Sequence, residues 1–260
     1  MKTQVLAAIL GGLLAFGAIQ AASAAEGQAA PKLKWTTDGV TRHFDRAQLK
    51  RGWTVYKQVC ASCHSAHQLY YRNLTDIGFS EAEAKAIAAG DSVPAGPNEA
   101  GETHVDGSPI MRPALLSDKL AAPYANANAA RAANNGALPP DLSLITKARK
   151  GGADYIHALL TGYKEPPAGF QLQQGMNFNA YFPGFQIAMP APLVEGAITF
   201  DDGTNATVAQ MARDVSAFLI WSAEPELEDR KRMGIKILAF LLVFTALLYA
   251  LKRKIWADVH

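Results

Sequence analysis

Apolar residues in this chain are gathered at its two ends, and a long, mixed middle lies between them. From Val5 to Ile19 and again from Ile235 to Leu251 the sequence is almost wholly apolar. In the middle, Leu49, Trp53 and Tyr56 recur at spacings of four and three, which is one face of a helix running through Gln48 to Val59. Segments from Ser80 to Ala89, Leu142 to Lys150, Ala153 to Leu160 and Thr207 to Ala223 also carry helical patterning. In the last of these, Val208, Met211, Val215, Phe218 and Leu219 mark the core face. The long intervals between them are rich in Gly, Pro and Asn. The pattern predicts a mainly α head with large wrapping loops, followed by a single transmembrane helix.

The two apolar ends read differently. Met1-Lys2 gives a positive start, the run to Ile19 an apolar middle, and Ala21 to Ala25 a small-residue exit. Those three features describe a secretory signal peptide over residues 1–25, with cleavage near Ala24 or Ala25; an uncleaved membrane helix is the alternative. On either reading the segment that follows crosses a membrane, into the oxidising bacterial periplasm. At the other end, Met233 to Leu251 is 19 residues, about 28 Å as a helix and close to the hydrocarbon thickness of a bilayer. Lys236 can snorkel, and Tyr249 and Trp256 suit the interface. The competing reading is a buried helix of a soluble domain. Basic residues flank this stretch on both sides, so the export signal orients it rather than charge. The predicted organisation is a signal peptide at 1–25, a periplasmic head at 26–230, an anchor at 231–252 and a cytoplasmic tail at 253–260. The protein then sits in the bacterial inner membrane as a single-pass chain with its head on the periplasmic side.

With 260 residues and 49% hydrophobic content, the chain can build one well-packed domain as well as its membrane segments. The formal net charge of +2 gives no reason to expect nucleic acid. Only two cysteines occur. Alone they fit a disulfide or half a zinc site, but the full string is Cys60-Ala61-Ser62-Cys63-His64. Two thiols at this spacing can form thioethers with the two vinyl groups of one porphyrin, and the adjacent imidazole can bind its iron. This is a c-type haem attachment pattern, and it predicts one covalently attached haem c per chain.

His64 supplies one axial ligand, and the other decides between an electron carrier and a haem open to small molecules. The candidates are Met111, Met176, Met189, Met211, His67, His104 and His157. His67 is three residues from His64 and cannot easily cross to the opposite haem face. His104 reads as exposed, and His157 as an ordinary core or surface histidine. Met211 reads as core. Met189 lies in a proline-bracketed stretch, Tyr181 to Pro192, that suppresses a regular helix. It has the best local setting, with Met176 the main rival. A His/Met pair raises the reduction potential relative to two imidazoles.

Two further stretches stand out. Asp76, Glu81, Glu83, Asp91, Glu99, Glu102 and Asp106 are offset within their interval only by Lys85. They form either a solvated face or a docking surface for a basic redox partner. In Arg131 to Pro140, Arg131 is equally a guanidinium fork for a haem propionate or an ordinary surface arginine before a turn.

Taken in order, the strings Val59 to Ser65, Tyr71-Arg72-Asn73-Leu74, Gly96-Pro97-Asn98-Glu99, Met111-Arg112-Pro113 and Arg131 to Ser143 resemble the cytochrome c1 family. So do Leu160 to Tyr163, Tyr181 to Gly184, Ile187 to Pro190, Phe200 to Thr204 and Arg230 to Gly234. The resemblance covers about Phe44 to Trp256 and implies a class I-like cytochrome c head. It implies Cys60 and Cys63 as haem attachments, His64 and Met189 as iron ligands, Arg131 at a propionate, and Asn134, Pro139 and Pro140 lining the haem. It further implies an electron-transfer subunit of ubiquinol–cytochrome c oxidoreductase, which takes one electron from the Rieske iron–sulfur protein and passes it to a soluble or membrane-tethered c-type cytochrome. Cytochrome b and the lipid bilayer are the implied neighbours, in a dimeric complex whose enzymatic activity belongs to the assembly. Some bacterial members carry an extra disulfide in the head, and this chain has no spare cysteine for one. A free-standing tethered cytochrome and a haem-based ligand sensor are the competing functions.

Overall fold

The computed structural model describes residues 27–39 and 43–257. The expected signal peptide at 1–25 lies outside the described residues. Helix α1 spans Arg46–Gln58 and starts at Asp45, whose carboxylate accepts hydrogen bonds from the amides of Ala47 and Gln48. Helices α2 (Glu81–Ala89), α3 (Ala127–Ala133), α4 (Ile145–Ala148), α5 (Gly152–Thr161), α6 (Val208–Ala223) and α7 (Leu227–Ile255) follow. Short 3-10 turns cover Cys60–Ser62, Tyr71–Ile77 and Pro183–Phe185. Three two-stranded antiparallel sheets punctuate the loops: β1 (Ser92–Pro94) with β4 (Met111–Pro113), β2 (His104–Val105) with β3 (Ser108–Pro109), and β5 (Asn177–Phe178) with β6 (Gln186–Ile187). The chain is therefore mainly helical, as its patterning predicts.

The centre of the head is the crossing of α1 and α6. Trp53 and Tyr56 from α1 meet Phe218 from α6, with ring centroids 5.5 to 6.0 Å apart, and Trp221 continues the cluster. Gly52 makes the close crossing possible, because a Cβ at this position would lie 2.2 Å from the carbonyl oxygen of Asp214. The buried Asp214 carboxylate has its charge compensated locally. It accepts from Arg51 Nε at 2.7 Å, Gln48 Nε2 at 3.0 Å and Gln210 Nε2 at 2.9 Å.

Two helices differ from the pattern. Only Ile145–Ala148 of the Leu142 to Lys150 stretch is helical, because Asp141 caps a turn by accepting from the Ser143 amide at 2.8 Å. Helix α3, by contrast, forms where only a turn followed Arg131 in the pattern; the Asn126 side chain accepts from the Ala129 amide and starts it.

Helix α7 is 29 residues, longer than its apolar stretch. Its first turns are polar and are fastened to the head: Glu228 accepts from the Phe44 amide and pairs with Arg46 at 2.6 Å, and Glu224 pairs with Lys147 and Arg230. Beyond these turns the apolar side chains face outward, with Phe240 and Leu238 each 64% exposed and Leu242 73% exposed. With a mean hydropathy of 2.3 and none of its apolar window buried, α7 is long and apolar enough to cross a bilayer. It is the membrane anchor of the chain.

Candidate functional site

The Cys60–Ser62 turn grows directly out of α1. The Val59 amide still bonds to the Val55 carbonyl, and the amides of Cys63 and His64 both reach back to the Cys60 carbonyl, at 3.1 and 2.8 Å. Tyr56, buried in the core, directs its hydroxyl toward the His64 carbonyl at 3.4 Å. The position of the turn is thereby fixed by the aromatic core behind it.

A second loop closes over this turn. The carbonyl of Pro140 accepts from His64 Nδ1 at 2.7 Å. A carbonyl can only accept, so Nδ1 carries the proton and the lone pair of Nε2 is left for another partner. Burial lowers the His64 pKa, and the Pro140 bond opposes that effect only in part, which favours the neutral ring. The Leu142 amide donates to the Ser65 carbonyl at 2.8 Å. Asp141 accepts from Ser65 Oγ, the His67 amide and His67 Nδ1 at 2.7 to 2.9 Å. Burial works against ionisation of Asp141, but hydrogen bonds from Ser143 and His67 outweigh it and hold the carboxyl at about 2.

Cys60 and Cys63 are half-buried and are not joined in a disulfide. Burial pushes the Cys60 thiol up to about 12. The hydroxyl of Tyr124 approaches Cys63 Sγ at 3.9 Å and accepts from Asn134 Nδ2 at 3.1 Å. Contacts therefore join Cys60, Cys63, His64, Pro140 and, through Tyr124, Asn134. Pro139 is half-buried beside Pro140. Arg131 is exposed on α3, and its guanidinium donates to the Gly136 carbonyl at 3.1 Å.

Met189 belongs to a different loop. It follows β6 and is half-buried. Its carbonyl accepts from the Tyr163 hydroxyl at 3.1 Å and from Asn177 Nδ2 at 3.4 Å. The fully buried Asn179 donates to the Leu159 carbonyl at 2.8 Å, which hangs the β5–β6 sheet from the end of α5. Among the rival methionines, Met211 is fully buried in the core, and Met111 is 48% exposed. His104 is exposed, and His157 is a half-buried α5 residue beside the Ala209 backbone. Among the described residues, no group of three or more His, Cys, Asp or Glu is arranged to hold a bare metal ion.

The acidic stretch is not one surface. Asp91 turns inward to Lys57 and the Tyr71 hydroxyl, and Glu83 caps α2. Glu99, Glu102 and Asp106 remain exposed around the β2–β3 hairpin.

The model of the Cytochrome C1 family matches residues 35–259. The chain belongs to the cytochrome c1 family. It is 48% identical to the mitochondrial "cytochrome c1 1, heme protein" of Arabidopsis thaliana over 252 residues, covering 96% of this chain and 80% of that one. It is 46% identical to cytochrome c1 of Rhodospirillum rubrum, with 88% of each chain covered. It is also 43% identical to "cytochrome b/c1" of Bradyrhizobium diazoefficiens, covering 98% of this chain and 40% of that longer one. Membership of this family makes the chain an electron-transfer component of the respiratory chain and implies a haem c cofactor. The donor set fits that group: two unpaired thiols on one turn, followed by an imidazole whose Nε2 is left available.

Tyr124, Asp141, Tyr163 and Asn177 touch the candidate residues, and the sequence patterning does not reveal them. Each acts on a partner through a contact that no local spacing encodes.

Proposed function

We propose that Cys60 and Cys63 hold the haem through thioethers, that His64 Nε2 and the Met189 thioether are its axial ligands, and that the chain relays single electrons. Attachment adds each S–H across a vinyl group, so a C–S bond forms, the hydrogen goes to the neighbouring carbon and nothing leaves. The observation that carries this reading is the His64–Pro140 bond, which orients the imidazole on the same turn as the two free thiols. A haem held there would supply one-electron chemistry, accepting from a Rieske iron–sulfur protein and passing on to a c-type cytochrome. The protein residues keep the ligand set closed. Tyr163 and Asn177 anchor the backbone of Met189, and Asp141 keeps the Pro140 loop against the attachment turn. Arg131 serves a propionate once its guanidinium leaves the Gly136 carbonyl, and Asn134, Pro139 and Pro140 line the haem.

Cytochrome b is the membrane neighbour of α7 in this reading, within a dimeric ubiquinol–cytochrome c oxidoreductase. The relative named cytochrome b/c1 supports that pairing. The acceptor meets the exposed acids Glu99, Glu102 and Asp106. The signal peptide is residues 1–25, the head 26–230, the anchor 231–252 and the tail 253–260, with the head on the periplasmic side of a bacterial inner membrane.

Isolation in mild detergent tests the assembly. Copurification with cytochrome b and a Rieske protein is expected, whereas a lone chain with full electron-transfer activity supports the free-standing cytochrome instead. Haem staining of a denatured gel tests attachment. The Cys60→Ala/Cys63→Ala double variant loses the stain, and full retention overturns the thioether assignment.

A further inference from the structure

Residues 27–35, ahead of α1, run across the head without helix or strand, yet are tied down at both ends. At one end the Gln28 amide donates to the Ala180 carbonyl at 2.9 Å, and the Ala180 amide in turn donates to the Gly162 carbonyl at 3.1 Å, just past α5. Gly27 lies so close to the Tyr181 backbone that a Cβ there would sit 2.2 Å from the Tyr181 oxygen. At the other end, Asp154 in the first turn of α5 collects the segment. It accepts from the Leu33 amide at 3.2 Å and from Trp35 Nε1 at 2.8 Å, and it pairs with Lys32 at 3.2 Å. Arg213 of α6 adds a bond to the Lys34 carbonyl at 2.7 Å and covers the Trp35 ring at 5.3 Å.

These contacts lay the segment antiparallel along α5. A helix of ten residues is about 15 Å long, and the six steps from Gln28 to Lys34 can reach about 20 Å, so the strap is long enough to span α5. Asp154 is 7% exposed, a costly place for a carboxylate unless its bonds matter. The end of α5 that the strap grips is the one from which the Met189 loop hangs. Ala180 is continuous with Asn179 and β5, β5 pairs with β6, and Tyr163 holds the Met189 carbonyl.

We propose that the 27–35 segment is a clasp that positions the Met189 loop, with Asp154, Gly27 and Gln28 acting as positioning residues for the distal thioether ligand. This rests on the assignment of Met189 as that ligand. Releasing the clasp lets the β5–β6 loop lift from α5, and the thioether leaves the iron more often without any change in the residues around the haem.

The test uses the holoprotein in its detergent-solubilised complex. Three readings are taken: the ferric thioether-to-iron charge-transfer band, carbon monoxide binding to the reduced c-type haem, and its midpoint potential. Met189→Leu is the reference and loses the band. Gln28→Pro is expected to weaken the band, lower the potential and speed carbon monoxide binding about fivefold, the effect of one lost hydrogen bond, and Asp154→Ala and Gly27→Val to move all three readings in the same direction. Asp154→Asn keeps an oxygen for Leu33 and Trp35 and loses only the pair with the 85%-exposed Lys32, so it restores all three readings. If Asp154→Ala fails to assemble, Gly27→Val and Gln28→Pro test the opposite end of the clasp. Clasp variants that melt earlier yet keep the native band, potential and carbon monoxide rate overturn the proposal, because that is the outcome of a purely structural strap. A Met189→Leu protein that retains the band overturns the ligand assignment, and the clasp proposal with it.

Discussion

The turn carrying Cys60, Cys63 and His64 continues directly from α1, whereas the loop carrying Met189 hangs from the end of α5. Behind the first stand Trp53, Tyr56 and Phe218, each 4% exposed or less, and over it closes the Asp141 network. Behind the second stand a two-residue pairing of strands, one tyrosine hydroxyl and two asparagine side chains. The first is held by dense burial and the second by single hydrogen bonds. Disturbing the core should therefore damage the whole head, while disturbing the Met189 side should alter the site and leave the fold standing.

The largest expected effect tests the rigid side. Gly52→Ala puts a methyl group into the α1–α6 crossing, where the Asp214 carbonyl leaves no room for it. Overpacking of this kind costs about 3 kcal/mol, read as a fall in thermal midpoint together with loss of haem incorporation. A variant as stable as the native protein would show that the helices separate more readily than their packing implies.

Met189→Leu tests the soft side most sharply. It should lower the midpoint potential and open the iron to carbon monoxide while the melting temperature changes little, because Leu preserves most of the buried volume. An unchanged redox spectrum would remove Met189 from the ligand set.

Tyr163→Phe is gentler. It removes the hydroxyl from the Met189 carbonyl and leaves Asn177 as its remaining donor, for a loss of about 1 kcal/mol. The comparison predicts that this loss appears in carbon monoxide binding before it appears in global unfolding. Equal effects on both would mean that the Met189 loop and the core unfold together.

A comparably small effect is a pH dependence on the His64 side. Asp141 is held at about 2 in the folded chain against an ordinary 3.8, so its folded form binds the proton less readily. Its contribution is complete above about pH 4 and disappears as the pH falls toward 2. After allowance for solvent screening it is about 1 kcal/mol. Acid titration of the native protein and Asp141→Asn, followed by thermal unfolding, should show the native curve steeper in that window. Parallel curves would assign the acid sensitivity to other carboxylates.

On the rigid side the sequence shows both the site and its support, whereas on the soft side it singles out Met189 but not the contacts that hold it. The Cys60 to His64 string and the Leu49, Trp53, Tyr56 face are local patterns, and each lies where its spacing implies. The outward-facing apolar run of α7 was equally plain, but the docking of its polar first turns was not, since Glu228 meets Arg46 from 182 residues away. The Met189 loop depends on Tyr163 and on Asn177 and Asn179, whose bonds run between loops and leave no periodic trace. The role of Asp141 at the attachment turn is hidden for the same reason: Ser65 and His67 lie 76 and 74 residues away. The acidic stretch showed the reverse failure, since composition grouped side chains that the fold separates, with Asp91 drawn in beneath Lys57 and Tyr71.

The most direct test of the whole account is the mass of the proteolytic peptide containing Cys60 to His64, taken from the purified, denatured chain. One haem joined to that peptide through both sulfurs is the predicted result. A peptide of unmodified mass, with the pigment released into acidified organic solvent, would contradict the account at its base.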